Sequence, residues 1–281
     1  AEAPLLRVED PLEGLRRLGI GARARSTATC LAVTGSVGKT STKEMLRHVL
    51  AAQAPAFAAA ASFNNHWGVP LTLARLPPDA RYAVFEIGMN HAGEIRPLTR
   101  MVRPHVALVT QIAPAHIEYF PEGLAGIADA KAEIFEGLEP GGHAVINRDA
   151  PQAERLVARA QALGARVLTF GRHADATVRL LDLSLHATCS AVTAKVGRET
   201  LDYCLSLPGE HMAMNSLGVL AAVQAAGADV VKAAQAMAGL QGLKGRGQRQ
   251  RLALAGGGVE LIDDSYNANP VSMAAAFAVL G

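Results

Sequence analysis

The chain has 281 residues, half of them apolar by count, and a formal net charge of +2, enough length to bury a sizeable core and to suit more than one domain. The near-balanced charge and the lack of a Lys/Arg run argue against a nucleic-acid partner, and no apolar stretch approaches the about 20 residues of a membrane span. Residues 1–10 lack a signal-peptide pattern, and Cys30, Cys189 and Cys204 have no metal-ligand spacing, so free thiols in a reducing cytoplasm are expected.

Residues 1–27 read as a linker or the tail of a preceding domain, with one short amphipathic segment at 11–18. From Thr29 strands and helices alternate. Apolar, β-branched runs at 30–34, 82–87, 105–110 and 143–147 suit strands buried on both faces of a parallel sheet. Helical patterns lie between and after them, at 40–53, 93–101, 124–137 and 150–163. The texture changes after Gly171, where 178–183, 187–196 and 200–207 read as a small additional sheet, followed by helices at 211–226 and 229–238. A Gly-rich basic stretch, 242–249, reads as a hinge; a strand at 259–263 and a helix at 272–280 then form a βα start without following strands, as expected of a truncated C-terminal domain. The fold class is α/β: a P-loop ATPase-type, mostly parallel sheet with flanking helices. We expect a central ATP-binding domain over 28–243 and the beginning of another over 244–281.

The first strand runs into Thr34-Gly35-Ser36-Val37-Gly38-Lys39-Thr40-Ser41-Thr42. Small residues let successive backbone N–H groups cradle phosphates, and the following helix N-terminus adds its dipole. Lys39 would reach the terminal phosphates and the Thr40 hydroxyl would hold Mg²⁺. The usual spacing asks for a glycine at the position of Val33, so this is a short P-loop; a tight strand-to-helix turn with an incidental lysine is the competing reading. Ligands in open α/β sheets bind beyond the carboxyl ends of strands. Glu86 and His116 both follow strand ends, Glu86 as a Mg²⁺ ligand or a turn glutamate, His116 as a metal ligand or a structural histidine. Asn64-Asn65-His66-Trp67-Gly68-Val69-Pro70 suits hydrogen bonding to a polar ligand or a structural turn, and Asp263-Asp264-Ser265-Tyr266-Asn267-Ala268-Asn269-Pro270 suits a ligand or an Asx turn. Lys131 sits mid-helix, and its pattern alone gives a solvated lysine.

In this order, the loop 34–42, 64–70, 86–94, His116, the Lys131 helix, 209–215 and 263–270 closely resemble the Mur ligases, ATP-dependent amide-bond-forming enzymes of peptidoglycan synthesis. Asn-Asn-His-Trp-Gly-Val-Pro, Glu-Ile-Gly-Met-Asn-His-Ala-Gly-Glu-Ile and Asp-Asp-Ser-Tyr-Asn-Ala-Asn-Pro are most similar to the member that joins D-Ala-D-Ala to UDP-N-acetylmuramoyl-tripeptide. The resemblance implies a central ATPase domain, the start of a Rossmann-like C-terminal domain, no UDP-binding domain, and an acyl-phosphate mechanism. It implies that Gly35, Ser36, Val37, Gly38, Lys39, Thr40 and Ser41 hold ATP phosphates, with Asn215 on the adenine, Asp264 near the ribose and Arg246 on the phosphates. It implies two Mg²⁺ ions, one on Thr40 and Glu86, the other on His116 and a CO₂-derived carbamate of Lys131. Asn64 and Asn65 would meet the muramoyl-peptide. Two departures stand out: His211-Met212 replaces the family's common His-Asn, and Lys244-Gly245-Arg246 replaces Pro-Gly-Arg. A monomer is expected. Another Mur or folylpolyglutamate-type ligase, or a non-catalytic nucleotide-binding module, are the alternatives.

Overall fold

The computed structural model describes residues 7–254, 257–266 and 270–279. Asn267, Ala268, Asn269 and Leu280, which the sequence reading placed in the last motif and helix, lie outside the described residues.

After α1 (Pro11–Arg25), the chain builds β1 (Thr29–Thr34), α2 (Lys39–Ala51), β2 (Ala56–Ala58), α3 (Gly68–Ala74), β3 (Tyr82–Glu86), α4 (Ile95–Val102) and β4 (Val106–Val109). There follow α5 (Leu124–Ala132), β5 (His143–Asn147), α6 (Ala153–Ala162), β6 (Arg166–Gly171), β7 (Val178–Leu185), β8 (Ser190–Val196) and β9 (Glu199–Leu205). Last come α7 (Glu210–Ala225), α8 (Val230–Ala236), β10 (Gln248–Leu254), β11 (Gly257–Asp263) and α9 (Pro270–Phe277). Nine strands form one sheet in the order β2-β3-β1-β4-β5-β6-β7-β8-β9. Pairing is parallel from β2 to β7 and antiparallel across β7, β8 and β9.

The side-chain alternation of a strand explains the continuous apolar run of β1. Leu31 and Val33 pack with Met45, Leu46 and Val49 of α2 and Leu217 of α7 on one face. Cys30 and Ala32 pack with Val69 and Leu73 of α3 and Ile95 of α4 on the other. With both faces covered there is no polar alternation to see. β1 lies between β3 and β4, where the connections turn to opposite sides, and such a switch point opens a crevice at the strands' carboxyl ends. The register aligns Val33 with Glu86 and Thr34 with Val109, so the loop after β1 starts beside Glu86.

Several expectations are corrected. The strands read as a small additional sheet extend the main one, because β7 adds parallel to β6; a separate two-stranded antiparallel sheet does form, from β10 and β11. β10 starts at the end of the stretch read as a hinge and runs past it, and was not read as a strand. β6 and the short β2 and α3 were missed. The amphipathic segment at 11–18 is part of a fifteen-residue helix that starts on an Asp10 cap. That helix is fastened to the sheet layer by Arg23, only 4% exposed. Its Nε donates to Val102 O at 2.7 Å and its Nη2 to Arg103 O at 2.8 Å, and it pairs with Glu139 at 3.3 Å. Arg23→Met would strand these buried acceptors, so urea denaturation should show a loss of about 2–3 kcal/mol.

Candidate active site

The loop between β1 and α2 is bound from beneath by β4 and its following residues. Ser36 N donates to Gln111 O at 2.7 Å, Ser36 Oγ to Ala113 O at 2.8 Å, and Thr110 Oγ1 to Val37 O at 2.6 Å. Two glycines make this packing possible. Gly35 sits at φ +151°, where an added Cβ would lie 1.9 Å from Thr110 Oγ1; Gly38 sits at φ +83°, where one would lie 2.9 Å from Asn215 Oδ1. The first N–H groups of α2 have no intrahelical acceptor, and with the helix dipole they make an anion site.

Lys39 Nζ curls back onto Gly35 O at 2.9 Å. Burial lowers its pKa, the Glu86 charge opposes this, and Arg246 lowers it further. Thr40 Oγ1 meets Ser62 Oγ at 3.0 Å. Glu86, 4% exposed, receives Asn64 Nδ2 on Oε1 at 2.8 Å, while its Oε2 is buried with no hydrogen-bond partner among the described residues. A buried carboxylate oxygen without a donor is costly, and a cation resolves that cost. Glu86 and Thr40 line one cavity of about 190 Å³ together with Lys39 and Asn64, and the carboxylate of Glu86 and hydroxyl of Thr40, both oxygen ligands, fit Mg²⁺.

That cavity adjoins a cleft of about 750 Å³, with Val37, Gly38 and Arg246 lining both. Asn215, Asp264, Ser41, Phe170 and Met214 line the larger one. An apolar space with a few polar groups suits a base and its ribose. Arg246 is held between them by stacking on Tyr266, 4.5 Å from the ring centroid, in a turn pinned by Gly245 N donating to Asp263 Oδ2 at 3.0 Å. His211, at the cleft wall, has its pKa lowered by burial against the opposing charge of Asp264.

The pattern reading of Lys131 as solvated is overturned: the residue is 3% exposed. Burial pushes its pKa well down and the Lys39 charge lowers it further. Its ammonium group makes no hydrogen bond or ion pair among the described residues. His116 stands exposed at φ +58° and lines neither of these two cavities. No group of three or more His, Cys, Asp or Glu gathers for a metal among the described residues. Asn65 Oδ1 accepts from Trp67 N at 3.1 Å and Gly68 N at 2.9 Å, fixing the start of α3. Sequence reasoning missed Thr110 and Ser62. Thr110 carried a signal, ending a strand next to β1; Ser62, in an alanine-rich stretch, carried none.

A glycine-containing loop joining the switch-point strand of an open parallel sheet to a helix, with an acidic side chain at the neighbouring strand's end, defines a P-loop protein. The Mur ligase middle domain model matches residues 33–223, and the chain belongs to that family. The UDP-N-acetylmuramoyl-tripeptide–D-alanyl-D-alanine ligase of Escherichia coli K12 is 38% identical over 284 residues, covering 99% of this chain and 61% of that protein. The ligase of the same name from Rickettsia prowazekii is 32% identical over 98% of this chain and 61% of its own length. The crystal structure of MurF from Acinetobacter baumannii superposes with a TM-score of 0.89 at 32% identity, over 99% of this chain and 61% of that one. The chain thus spans about 61% of the curated relatives' length.

Proposed function

We propose that this chain is the ATP-using part of a ligase that joins D-Ala-D-Ala to UDP-N-acetylmuramoyl-tripeptide. The phosphoryl-transfer half of this reading is carried by the unpartnered Glu86 oxygen beside Thr40 and the phosphate loop; the choice of substrates rests on the relatives' names. The base and ribose of ATP fill the larger cleft against Asn215 and Asp264, and the phosphates lie on the Gly35–Thr40 amides, with Arg246 reaching them from the turn. Lys39 leaves Gly35 O for the β- and γ-phosphates. Thr40 and Glu86 would hold Mg²⁺, which would supply neutralisation of phosphate charge, most of what phosphoryl transfer asks of a protein.

The tripeptide carboxylate takes the γ-phosphoryl group, giving an acyl phosphate and ADP. The dipeptide amine then attacks the acyl carbon; phosphate leaves, the amide forms and the nitrogen loses its proton. Lys131 is suited to carbamylation, because CO₂ reacts with the neutral amine that burial favours. The carbamate and His116 would hold a second Mg²⁺; with His116 exposed, no step here depends on it. No helix among the described residues is long and apolar enough to cross a membrane, and in this reading the protein works as a cytoplasmic monomer.

The test is phosphate release by the full-length ligase with ATP, Mg²⁺ and UDP-N-acetylmuramoyl-tripeptide, with and without D-Ala-D-Ala. Dipeptide-dependent release with a pentapeptide product by mass is expected. Nucleotide binding without such release would turn the assignment to another ligase substrate.

A further inference from the structure

Lys43 is a fully buried charged side chain that the mechanism does not use. It lies three residues after Thr40, on the same face of α2. Its Nζ donates to Ala59 O at 2.8 Å and Ala61 O at 3.2 Å, and pairs with Glu44 Oε1 at 2.8 Å. An ammonium has three donors, and all three are engaged. An ammonium kept out of water is costly unless its donors are satisfied, so the carbonyls of Ala59 and Ala61 are bound to turn inward.

The segment so held carries the two side chains that orient the candidate cation ligands. Ser62 Oγ meets Thr40 Oγ1 at 3.0 Å, and Asn64 Nδ2 donates to Glu86 Oε1 at 2.8 Å. Backbone bonds tie those residues to the clamped carbonyls: Phe63 N donates to Ala61 O at 2.8 Å and Asn64 N to Ser62 O at 3.0 Å. At the far end Gly88 N donates to Asn64 O at 2.8 Å, joining the segment to the chain just after Glu86.

We propose that Lys43 is a positioning residue for the divalent-cation site, its buried ammonium clamping residues 59–64 against α2 so that Ser62 and Asn64 set Thr40 and Glu86 for the metal. The inference rests on the nucleotide–Mg²⁺ reading above. Groups that orient metal ligands change metal affinity by about 10–100-fold when lost, whereas the phosphate-loop amides do not depend on this segment.

The experiment titrates Mg²⁺ into the protein with a fluorescent ATP analogue, and measures the analogue's affinity in EDTA, for wild type and Lys43→Met. The Mg²⁺ concentration for half-maximal binding should rise about tenfold in the variant, with metal-free affinity within about twofold. In metal-free protein, amide hydrogen exchange of residues 63 and 64 should quicken. Lys43→Arg keeps the charge but not the compact three-way geometry, and should show a smaller shift in the same direction; it carries the test if Lys43→Met does not fold. A folded variant with wild-type Mg²⁺ dependence, or one that loses metal-free affinity equally, overturns the clamp while leaving the nucleotide reading intact. Failure of the wild-type protein to bind the analogue with or without metal overturns both.

Discussion

In the full-length ligase of the proposed reading, replacing Lys131 by methionine is expected to abolish ligation, by at least about a thousandfold, the scale of losing a pre-organised electrostatic group, while nucleotide affinity stays within about twofold and the fold becomes more stable. The opposed signs come from one cause. Lys131 is 3% exposed, without an ion pair among the described residues, and burial together with the Lys39 charge holds its pKa well below that of an ordinary lysine. The unfolded chain titrates it near its usual value of about 10.4. Between the lowered folded value and that value, the unfolded state carries a proton that the folded state lacks. Wild-type stability therefore rises with pH across that window, and the full penalty is present only below the folded pKa. Methionine, of similar length and without charge, removes the penalty. The gain over wild type should be greatest on the acid side of the window and vanish above it, as urea midpoints at several pH values would show. Ligation at wild-type rates in the variant would exclude a carbamate role. A ¹³C-bicarbonate NMR signal for a lysine carbamate, present in wild type and absent from the variant, would support it.

Lys131 is the more strongly depressed of the two lysines. Lys131 gives up its proton first and feels the Lys39 charge, whereas Lys39 is lowered by burial and Arg246 and raised by Glu86. A neutral Lys131 has no charge to impose on Lys39. For this reason the loss expected of Lys131→Met is confined to the chemistry that follows nucleotide binding.

What the sequence disclosed depended on whether a residue's role was local. The run from Cys30 to Thr42 shows strand, loop and helix consecutively, so its phosphate-binding character was legible without partners. Glu86 was legible for a similar reason, as an acidic group ending an apolar strand. Lys131 was not: helical periodicity around it is blurred by alanines, and its burial arises from packing against distant segments. Ser62 and Lys43 are a serine among alanines and a lysine in a polar helix face, and only the fold brings their partners to them. The extension of the main sheet through β7, β8 and β9 was hidden because alternation marks a strand without stating which strand it joins. Resemblance supplied the Lys131 assignment that pattern refused; the structure buries Lys131 and leaves His116 outside the two cavities.

Lys39→Met should remove nucleotide-dependent phosphate release by about a thousandfold or more, a loss of some 4 kcal/mol of transition-state stabilisation. Lys39 Nζ donates to Gly35 O at 2.9 Å, and in the proposed reading the same ammonium serves the phosphate oxygens. Methionine keeps the stem and the packing against the loop but offers neither donor nor charge. Lys39→Arg is not expected to rescue, since a planar guanidinium is wider than the compact ammonium that reaches Gly35 O and presents its donors in a fixed fork. The same substitution has a second consequence that a simple loss of phosphate binding lacks. Removing the Lys39 charge lifts part of the depression of Lys131, so its pKa rises toward the ordinary lysine value. At neutral pH more of the Lys131 amine is then protonated, and protonated amine does not take up CO₂. The pH midpoint of the ¹³C carbamate signal should move upward in Lys39→Met relative to wild type. An unmoved midpoint would mean that Lys39 acts on phosphate alone and that burial by itself prepares Lys131.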